Sequence, residues 1–159
     1  MASAIFIKFP NGITAETTQD GHEGSVAATS IQWGVSRAVS TSFTSSGRET
    51  STPVFSEVVF TKMFDSSSND LALAAAKGKS MDEVTITFRK DTGEEQLDYL
   101  IYTLKDVLIS SYSVSSGGET PMESLSLNYT NIMGKYVKQA DDHSAGSEHE
   151  FEYNLRTQV

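Results

Sequence analysis

The chain has no cysteine in its 159 residues. That excludes a disulfide framework and any metal site built on thiolates. It is short of basic residues, with 12 Lys and Arg against 21 Asp and Glu, and carries a formal charge of −9. Phosphate backbones and anionic lipid surfaces both require clustered Lys and Arg, so the balance argues against nucleic acid and membrane as partners. No apolar run approaches the roughly 20 residues that span a bilayer. The opening MASAIFIKFP has one late Lys, a very short apolar run and a proline, which is not the pattern of a cleavable signal peptide. Catalytic motifs are absent too: there is no Gly-x-Ser-x-Gly elbow, no phosphate loop with its Lys-Ser or Lys-Thr, and no paired-His helix. No solenoid-type repeat is present.

What the chain does have is one clean helix among strands. Asp65 to Lys79, DSSSNDLALAAAKGK, holds strong helix formers with no β-branched residue from Leu71 to Ala76. Ser67 and Asp70 have the spacing of a capping box, and Gly78 stands where a left-handed residue ends a helix. The expected helix runs over about 69–77. It is too short to stand alone and must dock on something.

Nearly everything else reads as β. Residues 4–9 form a first strand and 25–39 a long second one, with Ile31, Trp33 and Val35 alternating against Gln32, Gly34 and Ser36. Residues 54–64 form a third, and Glu83 to Lys90 alternates with Val84, Ile86 and Phe88 inward. Residues 96–116 are one long β region whose pattern slips at Lys105-Asp106 and again at Ser110-Ser111, as at bends or bulges. Strands follow at 123–129 and 132–139. Residues 140–150 read as an acidic polar loop, and 150–156 as a closing strand with Phe151, Tyr153 and Leu155 inward. The expected fold class is mainly β in one domain, a closed barrel or two-sheet barrel-like structure with one flanking helix.

Two loops stand out. Ser40 to Pro53 contains nine Ser or Thr among fourteen residues, with Phe43 as its large apolar group. A loop this long in a compact domain is often functional, and it reads either as a contact segment, in the form of a loop or long hairpin arm, or as slack. The acidic loop brings His143 and His149 near Asp141, Asp142, Glu148 and Glu150, residue types that suit a divalent metal. A solvated polar loop accounts for them better, so no metal and no cofactor is expected. Glu94-Glu95 beside the Gly93 turn could mimic an acid pair, but it sits at a hairpin tip, which is expected to be exposed.

The middle of the chain resembles a known family. The residues that carry the likeness are Phe60-Thr61-Lys62, Asp65-Ser66-Ser67, the helix ending Lys77-Gly78-Lys79, Val84 to Lys90, and Tyr99 to Ser111. Phe6-Ile7-Lys8, Trp33-Gly34 and Leu125 to Tyr129 fit as well. In their order and spacing they resemble the haemolysin-coregulated proteins (Hcp), tail-tube subunits of the bacterial type VI secretion system. The resemblance implies a non-catalytic β-barrel that forms homohexameric rings. Such rings stack into a tube inside a contractile sheath, capped by a spike protein, and secreted effectors ride in the channel. It implies a cytoplasmic protein that leaves the cell without a cleavable signal. The segment after the second strand departs from the family, being rich in Ser and Thr where relatives are often glycine-rich.

Two site expectations follow. Thr41, Ser42, Phe43, Thr44, Ser45, Ser46, Gly47, Arg48 and Glu49 are expected to contact neighbouring rings. Gln32, of opposite parity to Ile31 and Trp33, is expected to face the channel. A monomeric barrel that binds a small ligand and a contractile-phage tail-tube protein remain alternatives.

Overall fold

The computed structural model describes residues 3–39, 51–93, 95–142 and 145–159. Its organising element is a strand of 20 residues, β7 (Gln96–Ser115). Side-chain alternation cannot stay in register over such a length on a curved surface, and the strand breaks where the sequence pattern slips. Asp106 takes a left-handed φ of 54°, rare for a residue with a side chain. The pairing shifts again between Ile109 and Ser111. Both expected bends are present.

Two strands lie end to end along one side of β7. Strand β8 (Met122–Asn128) pairs its second half and β9 (Asn131–Gln139) its first half. Along the other side, β6 (Met81–Asp91) pairs only as far as Val107. Strands β1 (Ser3–Lys8), β2 (Val26–Gln32) and β5 (Val58–Met63) complete a circuit. The order β7-β6-β1-β2-β5-β8 closes on β7 as a six-stranded barrel, with β9 and then β10 (Ala145–Asn154) extending beyond it. The fold class is therefore as the sequence implied. Inward residues of alternate parity fill the barrel: Ile7, Val26, Val58, Phe60, Val84, Ile86, Leu104, Leu125 and Leu127 are all buried.

The helix α1 (Ser68–Lys77) packs on β7 and buries Leu71 and Ala74. Gly78 ends it in the left-handed conformation, its N–H reaching the carbonyls of Ala74 and Ala75. The start differs from the expected capping box. Ser67 is helical in backbone and its hydroxyl donates to Asp65 Oδ1 instead of capping the helix. Asp65 wins because its carboxylate also accepts from the Ser67 N–H (2.9 Å).

Three expected segments are corrected. The second strand stops at Gln32. After Trp33-Gly34 the chain leaves the barrel as β3 (Val35–Ser36), which pairs with β4 (Val54–Phe55) in a separate two-stranded ribbon. Stacking of Trp33 on Phe55 (6.5 Å between ring centres) fixes the departure, and Gly34 and Ser56 exchange hydrogen bonds there. The expected third strand is likewise split into β4 and β5. Finally, half of the acidic loop is strand. β10 begins at Ala145, because backbone pairing with β9 sustains it without apolar alternation. Phe151 is 43% exposed on this edge strand, not inward, whereas Tyr153 and Leu155 pack against the core as expected, Leu155 from just beyond the strand's end.

Candidate assembly surface

The second half of β7, with β8, β5 and β2, forms a four-stranded sheet. One side is barrel core and the other faces out. Register places the outward residues in rows. One row reads Gln32, Val59, Ser126, Ser111; the next reads Ser30, Thr61, Ser124, Ser113; a third reads Met63, Met122, Ser115. The β2 irregularity after Ala28 also brings Thr29 onto Thr61. No charged residue occupies these rows, although a fifth of the chain is charged. Hydroxyls bond to one another instead: Thr61 Oγ1 lies 2.7 Å from Thr29 Oγ1 and 2.6 Å from Ser30 Oγ, and Ser111 Oγ donates to Ser126 Oγ at 2.9 Å. The carboxylate of Glu57 borders the face beside the ribbon and accepts from Ser110.

Among the described residues, both margins of this sheet are open. Among the described residues, no strand pairs with Leu108–Ser115 on the side away from β8. At the opposite margin, among the described residues, β1 pairs with β2 only as far as Ala28, and no strand pairs with the stretch through Gln32 on that side. Unpaired edges with exposed N–H and C=O groups are templates for another chain.

Gln32 is exposed while Ile31 and Trp33 pack against the core. It lines a shallow depression with Trp33, Gly34, Ser56, Glu57, Val59 and Ser126. Residues 41–49 lie outside the described residues. The chain on either side of them runs antiparallel, with Ser51 N–H donating to the Ala38 carbonyl at 3.0 Å. His143 and Glu94 also lie outside the described residues. His149 and Glu150 stand on β10, where successive side chains point to opposite sides, and Glu148 pairs with Lys135 at 3.1 Å. Among the described residues, no three His, Asp or Glu side chains converge as a metal requires.

Behind the face lies a buried polar cluster. Lys62 and Glu123 are cross-strand partners, both without solvent exposure, and form an ion pair. Lys62 Nζ also donates to Asp65 Oδ1 (3.1 Å), Ser68 Oγ (2.9 Å) and the Met63 carbonyl (3.1 Å). Ser68 and Tyr112 hydroxyls donate to the two Glu123 oxygens. Burial, then the Glu123 carboxylate, pushes the Tyr112 hydroxyl far above its usual range. The cluster ties the start of α1 to the strands that close the barrel. It was missed in the sequence, although a signal was there: Lys62 shares the parity of Val58 and Phe60, and Glu123 that of Leu125 and Leu127.

A second cluster holds the 13–25 segment down. His22 stacks on Phe6 (4.7 Å) and its Nε2 lies 3.1 Å from Asp98. Arg89 donates to Asp98 at 2.7 Å and to the Asp20 carbonyl at 2.9 Å. Burial pushes the Asp98 carboxyl up, but hydrogen bonds from Arg89 and His22 outweigh it and hold the group below its usual range.

Residues 6–136 match the family described as "Type VI secretion system effector, Hcp". The chain is 39% identical over 106 residues to protein hcp1 of Pseudomonas aeruginosa, a match spanning 65% of each chain. It resembles a solved type six secretion system protein with a TM-score of 0.91 at 25% identity, over 99% of both chains. Against Hcp1 from Salmonella typhimurium the TM-score is 0.79 at 25% identity, over 99% of this chain and 98% of the other.

Proposed function

The chain belongs to the Hcp family of the type VI secretion system, whose match covers residues 6–136, and from that premise we propose that it is a structural subunit of the inner tube. Six copies close a ring, rings stack into a tube, and the tube is exported with effectors in its channel. The observation that carries this reading is the four-stranded sheet with two open margins and an uncharged outward face.

A subunit with one free edge can only dimerise through it. A subunit with free edges at both margins of one sheet can pair edge to edge with a neighbour on each side, and a constant rotation then closes a ring. The outward rows of the sheet become the channel wall. A wall of short hydroxyls and Gln32, with Val59, Met63 and Met122 among them, offers weak, sequence-tolerant hydrogen bonds, and its rows hold no fixed charge to trap a passing polypeptide. Nothing in this role calls for a reactive group. The buried Lys62–Glu123 cluster supports it by holding β5 and β8 in register where the barrel closes. Spike, sheath and effector partners follow from the same reading.

Negative-stain images of the purified chain test it. Annular particles with an open centre are expected; compact particles without a hole would refute the ring.

A further inference from the structure

We propose that Met63 and Met122 form an oxidation site on the outward face of the four-stranded sheet: a peroxide-class oxidant converts both thioethers to sulfoxides, and that end of the face turns from apolar to polar. That the face lines a channel rests on the ring reading above; the reactivity of the pair does not.

The chain has no cysteine, so methionine carries all of its sulfur. Methionine is ordinarily among the more deeply buried residues. Met81 follows that rule with no exposure, and Met133 is half-buried. Met63 and Met122 depart from it, at 46% and 37% exposure. They are cross-strand partners on β5 and β8, so both side chains leave the sheet on the same side, with Cβ atoms about 5 Å apart by the geometry of an antiparallel pair. An oxidant that reaches one sulfur reaches the other.

The step itself balances simply. A lone pair on the thioether sulfur attacks one peroxide oxygen. The S–O bond forms as the O–O bond breaks, and the departing hydroxide takes up a proton and leaves as water. The sulfur gives up an electron pair and the peroxide is reduced. The product is a polar, chiral sulfoxide that dedicated reductases return to methionine.

The setting gives this change a consequence without cost to the fold. Ser115 completes the row of the two methionines, and Thr61, Ser124 and Ser113 stand one row away on the same face. The reduced pair is therefore an apolar foothold in a field of hydroxyls. Once oxidised it carries acceptors that those hydroxyls and water can bond, and the foothold is gone. The backbone beneath is fixed, with the Phe64 N–H donating to the Pro121 carbonyl at 3.0 Å. Neither side chain packs in the barrel core, so oxidation there removes no core packing, whereas oxidation of Met81 would.

The full-length chain is titrated with hydrogen peroxide and followed by peptide mapping, hydrophobic-interaction chromatography and thermal melting. Met63 and Met122 are expected to gain one oxygen each before Met133 and Met81 do. Retention on the apolar resin then falls while the melting temperature holds, and methionine sulfoxide reductases A and B together reverse both the oxygen gain and the loss of retention. Met63→Leu/Met122→Leu should keep its retention through the same treatment. Oxidation of Met133 or Met81 ahead of the pair, or retention that survives full oxidation of the pair, overturns the inference. A single-chain particle mass, measured on the untreated protein, refutes the ring reading alone.

Discussion

The ring of Phe151 on β10 lies across Gly134 on β9, in the space where any other residue would carry its β-carbon. A Cβ built at Gly134 would come within 2.2 Å of Phe151 Cε1. The two are cross-strand partners, and the bare glycine lets the aromatic ring cover the backbone. Phe151 in turn stacks with Trp33 at 6.1 Å, which links the edge strand to the base of the ribbon.

Gly134→Ala is therefore expected to displace Phe151 and to destabilise the fold by about 1–3 kcal/mol, the usual range for overpacking. Urea titration followed by fluorescence of Trp33 reads both effects. In a Phe151→Ala background the same change should cost almost nothing. An equal cost in both backgrounds would show that the contact is not what makes glycine necessary.

The Lys62–Glu123 pair allows a sharper experiment. Removing one partner strands a buried charge, and Lys62→Met or Glu123→Leu alone should cost about 3–5 kcal/mol. Replacing both with apolar residues of similar size should recover much of that loss. If the double variant is as unstable as the sum of the singles, the surrounding Ser68 and Tyr112 hydroxyls, not the ion pair, dominate the site.

How much of this was legible beforehand follows from what each element exposes. Strands with one face in the core, such as Val84 to Phe88, announce themselves by alternation. The bends at Asp106 and Ser110 showed as slips in that alternation. β10 was hidden because an edge strand held by backbone pairing to β9 needs no apolar face. The break after Gln32 was hidden because Trp33 and Val35 keep the strand's parity while the chain turns out of the barrel. The exposed side of Gln32 could be read from parity, whereas the open margins of the sheet are properties of strand order and have no local signature.

Asp98 gives a pH prediction. Its folded pKa is depressed, so the stability it contributes is present above its unfolded value of about 3.9 and is lost as pH falls through the folded value. Asp98→Asn should lower the melting temperature at pH 7 and flatten the acid limb of the stability curve. Partial exposure screens the group, so the effect should not exceed about 1 kcal/mol. An unchanged acid limb would remove Asp98 from the account.

One substitution and one shortened segment probe the assembly surface. Gln32→Arg should leave fold and ring intact, because the side chain is exposed, while changing which proteins co-purify with the ring. An unfolded variant would show that Gln32 is needed for packing. Shortening Thr44 to Thr50 to a Gly-Ser link should keep the melting temperature and the ring but abolish tube growth. Loss of the ring would assign the segment to contacts within it, and normal tube growth would make it slack.

Particle mass tests most directly whether two edges of one sheet close a ring. Light scattering coupled to size exclusion, at micromolar concentration, should give about 104 kDa, six times the 17.3 kDa chain. A mass near that of one chain would contradict the account.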